Sequence, residues 1–390
     1  MNDILHILNL DTIGGVEELF IHFLTQSPSY YRHHLLITGA PIHPHFYDRV
    51  KHSAASITYE KYLFGTGIKI PKLLRQLKRF YLFYTKKFSR ILLWNRFEKI
   101  HRSIKASIIY YEHGASWIES QGSLSADYFD PIDTILVNSQ AAKQILELKW
   151  GIHKPMFVIE NPLRPDLCFS KTARSLPQGT FTIGYIGRLI PLKGTLLLLH
   201  ALKKLEGTNL TITLKIAGVG PERDTLEKEA LRLGIASIVQ FLGTITVVDQ
   251  FYDSIDLLVV PSIREPLGLV ALEAAARGCP VIATLVDGLP EVVIDGETGF
   301  CIEPTLPVEQ YIPKETLSKL PDLVFNPKDK KLQTPLLLDP NSIADHITKL
   351  MQQPDEYMRL SGNAIAFAKK RSDFSTYTDQ LIRFLSFNCV

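Results

Sequence analysis

The sequence predicts two Rossmann-like α/β domains, each with a parallel sheet that helices cover on both faces. Three observations carry this prediction: a length of 390 residues, short apolar runs that alternate with helical patterns, and predicted strands that are apolar throughout. A chain of this length exceeds one ordinary hydrophobic core, so two domains are expected. Strands that lack a polar face and are separated by helices are typical of parallel sheets.

The apolar runs and helical patterns alternate along nearly the whole chain. In the first half, the predicted strands are 4–10, 34–39, 107–112, 134–138 and 156–160. In the second half, they are 181–187, 211–218, 238–242, 257–261 and 280–284. The predicted helices include 16–25, 141–150, 194–205, 221–233 and 269–277.

Proline and polar residues without periodicity mark the predicted domain boundary, between residues 161 and 179. We assign residues 1–170 to the first domain and residues 171–373 to the second. Residues 374–387 have helical apolar spacing, and we expect the segment 374–390 to cross back onto the first domain. Residues 305–340 are rich in proline and predict an irregular surface insertion without an assigned role.

The composition is that of a soluble globular protein, with 46% hydrophobic and 21% charged residues. No apolar run reaches the roughly 18 residues that a membrane span needs. The N-terminus lacks the basic region of a signal peptide. Four scattered cysteines, without a Cys-x-x-Cys pair, argue against structural zinc and a disulfide framework. We therefore expect a cytoplasmic protein.

The net charge of +3 is unevenly distributed, because residues 1–175 carry 22 Lys and Arg against 15 Asp and Glu. Between residues 69 and 105, 12 cations face only Glu98, and aromatic residues are interleaved with them. This pattern predicts one or two amphipathic helices. They can lie at an anionic membrane surface, or they can place aromatics in a core and cations in water. The sequence does not decide between these two readings, and nucleic acid is disfavoured because no binding motif accompanies the charge.

Arg188 and Lys193 form the first candidate binding pair. Arg188 ends a predicted strand, at the edge where open α/β sheets bind ligands, and Lys193 lies at the start of the next helix. An Arg and a Lys on one such loop can clamp a diphosphate. Gly14 and Gly15 follow the first strand and permit close approach of a ligand to a helix N-terminus. Taken alone, the Arg and Lys pair is better explained by solvated charges, and the two glycines are better explained by an ordinary tight turn.

Glu265 and Glu273 form the second candidate pair. Glu265 lies in a predicted strand-to-helix loop, and Glu273 lies about two turns along the helix. At about 1.5 Å per residue, they are roughly 12 Å apart. The helix N-terminus between them offers N–H groups and a positive dipole end to phosphates. Two acceptors at this spacing suit a sugar nucleotide, which has hydroxyls at both ends and a diphosphate between them.

Several motifs are missing. Gly218-Val219-Gly220 opens like a dinucleotide fingerprint but lacks its third glycine, so NAD binding is poorly supported. The sequence contains no P-loop and no Asp-x-Asp triplet, the usual carrier of Mg²⁺ or Mn²⁺ beneath a diphosphate. If the ligand is a sugar nucleotide, the charge of its diphosphate would therefore be neutralised by protein cations and a helix N-terminus.

Taken together, these motifs resemble the family 4 retaining glycosyltransferases of the GT-B fold. The resemblance covers nearly the whole chain and is most specific across residues 181–303. One departure is Asp287-Gly288, which stands where that family commonly has two glycines. The motifs are Gly14-Gly15-Val16-Glu17, Glu112-His113-Gly114, Gly187-Arg188 with Lys193-Gly194, Ala217-Gly218-Val219-Gly220-Pro221, the Glu265/Glu273 pair, Pro280-Val281-Ile282-Ala283, and the run from Gly288 to Phe300.

The resemblance implies two domains that face a central cleft, and a role for each candidate residue. The donor diphosphate would be held by Arg188 and Lys193, the donor sugar by Glu265, and the ribose by Glu273. Backbone N–H groups of Leu267, Gly268 and Leu269 would contact sugar and phosphate. Gly218 and Thr244 would complete the nucleotide site, with the base held by backbone around residues 243–244. Gly15 would approach the donor from the opposite domain, and His113 would lie near the transferring sugar. The implied catalytic residues are Glu265, His113, Arg188 and Lys193.

The implied activity is metal-independent transfer, with retained configuration, from a UDP- or GDP-sugar to a glycan or lipid-linked acceptor. The expected setting is surface polysaccharide or lipopolysaccharide synthesis at the inner face of the membrane. Two alternatives share the fold: a sugar-nucleotide 2-epimerase and a catalytically inactive sugar-nucleotide-binding protein. The Glu265/Glu273 pair favours transfer over epimerisation, and a NAD-dependent enzyme is disfavoured.

Overall fold

The computed structural model describes residues 2–63, 65–101, 103–118, 128–206, 211–371 and 373–387. The chain divides into two compact units. Unit 1 comprises Met1–Asn138, Leu146–Asn161 and Ser375–Val390, and unit 2 comprises Ser139–Ile145 and Pro162–Phe374. Arg102 of the basic stretch, Cys389 and the end of the predicted return segment, residues 388–390, lie outside the described residues.

The strands and helices follow one another in a regular alternation. The strands are β1 (Asn2–Leu8), β2 (Tyr31–Ile37), β3 (Ser56–Tyr59), β4 (Arg90–Trp94), β5 (Ser107–Glu112), β6 (Thr134–Val137), β7 (Met156–Val158), β8 (Phe181–Ile186), β9 (Ile212–Ala217), β10 (Val239–Gly243), β11 (Leu257–Val260), β12 (Val281–Thr284), β13 (Gly299–Ile302), β14 (Leu306–Pro307), β15 (Val324–Asn326), β16 (Lys331–Gln333) and β17 (Leu336–Leu337). The helices are α1 (Gly15–Gln26), α2 (Pro44–Ser53), α3 (Lys72–Thr85), α4 (Ala115–Ile118), α5 (Gln140–Trp150), α6 (Thr195–Leu205), α7 (Arg223–Arg232), α8 (Val248–Asp253), α9 (Leu269–Ala276), α10 (Leu289–Val292), α11 (Lys314–Leu317), α12 (Pro340–Met351), α13 (Pro354–Lys370) and α14 (Phe374–Phe387).

Unit 1 is built on a parallel sheet with the strand order β3-β2-β1-β4-β5-β6-β7. The order along the sheet reverses between β1 and β4, which makes the C-terminal ends of these two strands the topological switch point. We call this place the unit 1 crevice. Every residue of β4 is buried, as expected for a central strand covered on both faces.

Unit 2 repeats this plan with the strand order β10-β9-β8-β11-β12-β13, again parallel throughout. Its switch point lies between β8 and β11, and we call the C-terminal ends of these strands the unit 2 crevice. Helices α6 and α12 contribute to the same core as β8 and β9. The prediction of two parallel-sheet α/β domains is therefore confirmed.

In the two parallel sheets, three of the described strands escaped the sequence prediction, namely β3, β4 and β13. β4 begins with Arg90, which is only 1% exposed, and it lies inside the basic stretch interpreted as helical. β3 and β13 are the outer strands of their sheets and have only four residues each. Short edge strands bury little surface and leave a weak apolar pattern.

The insertion, residues 305–340, is more ordered than predicted. It contains two antiparallel pairs, β14 with β17 and β15 with β16. Val324 and Leu337 are each only 1% exposed. The segment is therefore not irregular throughout as predicted, because strands of two or three residues leave no readable period in a sequence.

The C-terminal helix α14 has the predicted bounds and lies in unit 1. Its residues Tyr377, Leu381 and Leu385 are fully buried, and the Ser386 hydroxyl lies 2.9 Å from the Tyr31 hydroxyl of β2. The chain thus returns to its first unit, as predicted. No helix among the described residues combines the length and apolar character required to cross a bilayer.

Candidate functional site

The unit 2 crevice gathers most of the predicted site residues at one edge of its sheet. Arg188 follows β8, Gly218 follows β9, Thr244 follows β10 and Glu265 lies in the loop after β11. Since β8, β9, β10 and β11 are parallel neighbours, their C-terminal ends lie along the same edge. The structure therefore brings together residues that lie up to 77 positions apart in the sequence.

Lys193 and Glu265 form an ion pair at the centre of this group. The Lys193 Nζ lies 2.5 Å from Glu265 Oε2, and the two side chains are 23% and 12% exposed. The Ser262 hydroxyl lies 3.4 Å from the same oxygen. Lys193 ends a short 3-10 turn, and Gly194 follows with φ of +64°. A Cβ at Gly194 would lie 2.0 Å from the Pro261 carbonyl oxygen, so glycine is what lets this loop approach the end of β11.

The buried hydroxyl of Tyr185 lies near several charged groups of the unit 2 crevice. This hydroxyl donates to the Arg188 carbonyl at 3.0 Å, and burial raises the pKa of this phenol. The charges of Glu265, Glu222 and Arg188 also act on that pKa, so all three lie within electrostatic reach of one buried hydroxyl. The Arg188 side chain itself is exposed and can meet a ligand from solution.

Glu222 is a further candidate site residue, which sequence reasoning missed. Its backbone N–H donates to the Leu189 carbonyl at 3.1 Å, and burial raises the pKa of its carboxyl to about 7. Near neutral pH this carboxyl can therefore serve as a hydrogen-bond donor when protonated and as an acceptor when ionised. Its position directly after Gly220-Pro221, at the start of a helix, was the available signal.

Helix α9 begins at Leu269, shortly after Glu265 in the same loop. Leu267 is buried, and Gly268 adopts a left-handed conformation with φ of +93°. A Cβ at Gly268 would lie 2.6 Å from Leu289 Cδ2, so both space and backbone favour glycine. The first N–H groups of a helix lack intrahelical acceptors and attract anions, which suits Leu267, Gly268 and Leu269 to phosphate or sugar oxygens.

Glu273 lies in α9 as a largely buried acceptor. The Tyr252 hydroxyl donates to Glu273 Oε2 at 2.7 Å. Burial raises the pKa of this carboxyl, while Tyr252 and the cation of Arg164 oppose that rise. Arg164 is bonded to Asp166 at 2.7 Å. Tyr252 and Arg164 were not predicted, because nothing in their local sequence connects them with Glu273.

Gly218 and Gly243 join the ends of two neighbouring strands. The Gly218 N–H donates to the Gly243 carbonyl at 2.7 Å, and a Cβ at Gly218 would lie 1.8 Å from the Gly187 carbonyl oxygen. Gly218 is thus required by the packing of β8 against β9. Thr244 follows Gly243 and is exposed.

His113 lies after β5 in unit 1, where two aromatic rings enclose it. It is 8% exposed, and its ring stacks at 6.1 Å on Trp94 and contacts Tyr111 at 4.2 Å, between ring centroids. Among the residues that the structure describes, neither ring nitrogen has a hydrogen-bond partner. Burial lowers the pKa of His113 to about 3, so the ring is neutral at physiological pH. A buried imidazole without a partner is suited to bond with a ligand.

The turn that carries His113 is held by buried polar groups. The His113 N–H donates to Asn95 Oδ1 at 2.9 Å, and the Ala115 N–H donates to the same oxygen at 3.0 Å. Glu112 accepts from the Tyr110 hydroxyl at 2.6 Å. Asn95 follows β4 with φ of +50°, so the unit 1 crevice positions this turn.

Gly15 is the first residue of α1 and lies in open space. A Cβ at this position would meet nothing within 4 Å among the described residues, and the residue is not among those with positive φ. Neither packing against the described residues nor backbone conformation requires glycine at this position. Beside it, in the unit 1 crevice, lies a pocket of about 190 Å³. Its lining residues are Leu8, Asn9, Val16, Glu17, Trp94, Asn95 and Arg96.

Helix α3 presents an apolar stripe to solvent. The stripe occupies positions i, i+1, i+4, i+7, i+8 and i+11, which share one helix face. Two of the cations of α3 turn inward, since Arg79 pairs with Glu60 at 2.8 Å and Glu98 at 3.1 Å, and Arg75 donates to the Ile70 carbonyl. The interpretation that places aromatics in a core does not hold for Phe80, Tyr81 and Tyr84, which are exposed, whereas Lys72 lies in water as that interpretation expects. The stripe consists of Leu73, Leu74, Leu77, Phe80, Tyr81 and Tyr84, which are 48–66% exposed.

Comparison with known proteins matches the two units unequally. Residues 169–314 match the family model described as glycosyl transferases group 1. The D-inositol 3-phosphate glycosyltransferase of Mycolicibacterium smegmatis is 34% identical over 185 residues, which cover 45% of this chain and 42% of that protein. The chain thus spans less than half the length of this relative. Similarity in sequence is concentrated in the part of the chain that forms the unit 2 crevice.

Solved structures match over nearly the whole chain. HepE of Anabaena, in complex with UDP and glucose, has a TM-score of 0.70 at 20% identity and covers 98% of this chain and 99% of its own. WaaG, a glycosyltransferase involved in lipopolysaccharide biosynthesis, has a TM-score of 0.63 at 15% identity, covering 99% and 100%. At these identities the likeness shows the fold. The chain has the GT-B fold.

Proposed function

We propose that this chain is a family 4 glycosyltransferase, which moves a sugar from a UDP- or GDP-sugar to a glycan or lipid-linked acceptor. The observation that carries the proposal is the convergence of Arg188, Lys193, Glu265 and the start of α9 at the unit 2 crevice. The family model of group 1 glycosyltransferases matches these same residues. HepE, whose fold this chain shares, holds UDP and glucose.

The donor diphosphate is the ligand group that this charge pattern suits best. The exposed Arg188 guanidinium offers a planar fork to phosphate oxygens, and the N–H groups at the start of α9 offer further donors. Lys193 is bonded to Glu265 and can turn one of its N–H donors towards phosphate while keeping that bond. Glu265 then accepts from hydroxyls of the donor sugar, and Glu273 accepts from the ribose hydroxyls. Gly218 and Thr244 line the nucleotide end.

Transfer breaks the bond between the anomeric carbon and the diphosphate oxygen and forms a bond to the acceptor oxygen. We propose attack from the face that the diphosphate leaves, which retains the configuration, with a diphosphate oxygen accepting the acceptor's proton. Negative charge then grows on the diphosphate, where Arg188, Lys193 and the start of α9 stabilise it without a metal. Glu265 orients the sugar. The neutral ring of His113 hydrogen-bonds a sugar hydroxyl, and the bare Gly15 allows the ligand to approach α1.

A donor screen followed by product analysis tests this proposal. Thermal shift with UDP-, GDP- and ADP-sugars and with NAD comes first, and the anomeric configuration of the product is then read by NMR. We expect stabilisation by a UDP- or GDP-sugar, retained configuration, and turnover that survives EDTA. Inverted configuration, or turnover abolished by EDTA, would contradict the mechanism. Epimerised donor without transfer, or binding without turnover, would favour the epimerase or the inactive binding protein.

An anionic membrane surface is the partner that we propose for α3. Its apolar stripe is exposed, and Lys69, Lys72 and Lys87 nearby in the sequence are exposed cations. Apolar side chains that insert at the headgroup level, together with lysines that meet anionic lipid, describe a peripheral membrane helix. This location suits a lipid-linked acceptor in surface polysaccharide or lipopolysaccharide synthesis. WaaG, which shares the fold, takes part in lipopolysaccharide biosynthesis.

Vesicle co-sedimentation tests the membrane proposal. Wild-type protein should bind vesicles that contain anionic phosphatidylglycerol, and added salt should weaken the binding. Leu77→Glu, in the middle of the stripe, should reduce binding about tenfold or more, because it places a charge among lipid tails. Leu148→Glu alters an exposed leucine of α5 and is the matched control. Equal binding by both variants would remove α3 from the proposal.

A further inference from the structure

Asp287 occupies the position where the resemblance predicted a second glycine. It is fully buried and adopts a left-handed conformation with φ of +46°, which Asp tolerates better than most residues. Its Oδ2 accepts from the Glu265 N–H at 3.0 Å, and its Oδ1 accepts from the Phe325 N–H at 2.8 Å. A single carboxylate therefore bridges the loop that carries Glu265 and strand β15 of the insertion.

The bridge is reinforced from the side of the insertion. The Asp287 N–H donates back to the Phe325 carbonyl at 3.0 Å. Val324 belongs to the same hydrophobic core as Leu267 and Leu289, which flank the start of α9. The insertion thus supports the floor of the unit 2 crevice.

Both backbone polar groups of Glu265 are hydrogen-bonded. Asp287 accepts from its N–H, and the Gly288 N–H donates to its carbonyl at 3.0 Å. A Cβ at Gly288 would lie 2.2 Å from the Pro266 carbonyl oxygen, so the two segments pack backbone against backbone. With its backbone fixed here and its carboxylate bonded to Lys193, Glu265 has a defined orientation.

We infer that Asp287 is a positioning residue whose carboxylate sets the backbone of Glu265 and couples it to the insertion. A bond from an N–H to a carboxylate is stronger than one to a neutral acceptor, and its loss leaves a buried donor unpaired. The expected effect on turnover rests on the proposed function. The hydrogen bonds that join Asp287 to Glu265 and Phe325 do not depend on that proposal.

Two variants of Asp287 and one control separate these claims. Asp287→Gly restores the glycine pair, suits the left-handed backbone and removes both acceptors. Asp287→Asn keeps the side-chain shape but replaces one acceptor oxygen with a donor. Asp256→Asn is the control, because Asp256 Oδ2 accepts from the Thr182 N–H at 2.8 Å at the opposite, N-terminal edge of the same sheet.

In the full chain, we expect Asp287→Gly to speed hydrogen exchange at the Glu265 and Phe325 amides about tenfold. With the donor identified by the screen, kcat should fall about tenfold, while the Kd for UDP or GDP stays within about twofold, because orientation is lost and phosphate binding is kept. Asp287→Asn should lie between Asp287→Gly and wild type. Asp256→Asn should lower Tm by a similar amount and leave kcat unchanged.

Unchanged exchange at the Glu265 amide would overturn the inference. A loss of kcat no larger than that in Asp256→Asn would overturn the positioning role. If the wild-type protein transfers no sugar, the proposed function fails, and amide exchange alone then decides whether Asp287 holds Glu265. If Asp287→Gly does not fold, Asp287→Asn carries both measurements.

Discussion

The two units share one sheet topology and differ in the side chains that lie at its switch point. Both sheets have their switch point beside the first strand, and both place candidate residues at the C-terminal edge. At the unit 2 crevice these residues are charged: Arg188, Lys193, Glu222 and Glu265. At the unit 1 crevice an uncharged histidine is packed between aromatic rings. One fold thus supplies one charged edge and one mainly aromatic edge.

The aromatic packing of unit 1 continues inward as a hydrogen-bonded chain. The Trp94 Nε1–H donates to His6 Nδ1 at 3.0 Å, and His6 Nε2 lies 2.8 Å from His33 Nδ1. Since an indole can only donate, the tautomer of His6 is assigned with its proton on Nε2, and that proton is donated to His33. Burial lowers the pKa of His6 well below its ordinary value and that of His33 to about 4. These two hydrogen bonds require that the imidazole rings of His6 and His33 be neutral.

We infer from this comparison that a shared donor would constrain the sequence of unit 2 more than that of unit 1. The family model matches residues 169–314, within the part of the chain that forms unit 2. A nucleoside diphosphate would be common to many transferases, whereas acceptors differ, so the edge that we propose for the donor would have less freedom to change. The predictions below alter one unit at a time, and the expected effects decrease from first to last.

Arg188→Ala should have the largest effect. Turnover of the donor identified by the screen should fall about 100-fold or more, because an exposed cation that stabilises the leaving diphosphate is lost. Tm should change little, since the side chain lies at the surface. Arg232→Ala, which removes an exposed arginine of α7, is the control. If the turnover rates of the two variants agree within about twofold, Arg188 is not the cation that stabilises the diphosphate.

Acid should destabilise unit 1 through its histidines. Between the unfolded pKa of about 6.5 and the folded pKa of about 4, the unfolded chain binds more protons at His33, so stability falls as pH falls. The contribution of His33 amounts to roughly 3 kcal/mol when complete. Urea unfolding at pH 7, 5.5 and 4.5 measures this loss.

Tryptophan fluorescence makes that measurement specific to unit 1, because Trp94, Trp117 and Trp150 all lie there. The matched variant is His33→Gln, which cannot gain a proton in this range. It should show a flatter dependence of unfolding free energy on pH. Parallel curves for wild type and variant would show that His33 titrates normally.

Glu273→Gln should weaken binding of UDP or GDP about tenfold, because ribose hydroxyls lose a charged acceptor. Isothermal titration with the nucleoside diphosphate measures the change. Glu229→Gln alters a carboxylate of α7 that pairs with Arg232 and His200 on the same unit, and should bind as wild type does. An unchanged Kd for Glu273→Gln would remove Glu273 from the nucleotide site.

Glu222 should produce the smallest effect. Its ionisation near pH 7 adds negative charge to the edge that we assign to the diphosphate, so nucleotide affinity should decline between pH 6 and pH 8 by about 1 kcal/mol more in wild type than in Glu222→Gln. The difference between the two proteins cancels titration of the nucleotide itself. Identical pH profiles would place Glu222 away from the phosphates.

The fold was largely predictable because the central strands and the last helix are strongly patterned. Strand β5 and helix α14 have the predicted bounds. Strand β4 was missed since it opens with Arg90 inside a basic stretch, and only tertiary packing buries that arginine. The insertion was misjudged because its strands are too short to show a period.

The candidate site was predictable for those residues that directly follow the strands of the parallel sheet. Arg188 and Glu265 follow neighbouring parallel strands, so their proximity could be inferred. The bond between Lys193 and Glu265 joins residues 72 positions apart, and that between Asp287 and Phe325 joins residues 38 apart. Such contacts depend on how loops meet in three dimensions, and no local pattern encodes them.

The central claim is that the unit 2 crevice binds the donor's nucleoside diphosphate. Hydrogen exchange of the full chain, with and without saturating UDP or GDP, tests this most directly. We predict protection of residues 188–194, 218–222, 243–245 and 265–273 by one of these nucleotides. Protection confined to other segments, or none with either nucleotide, would contradict the claim.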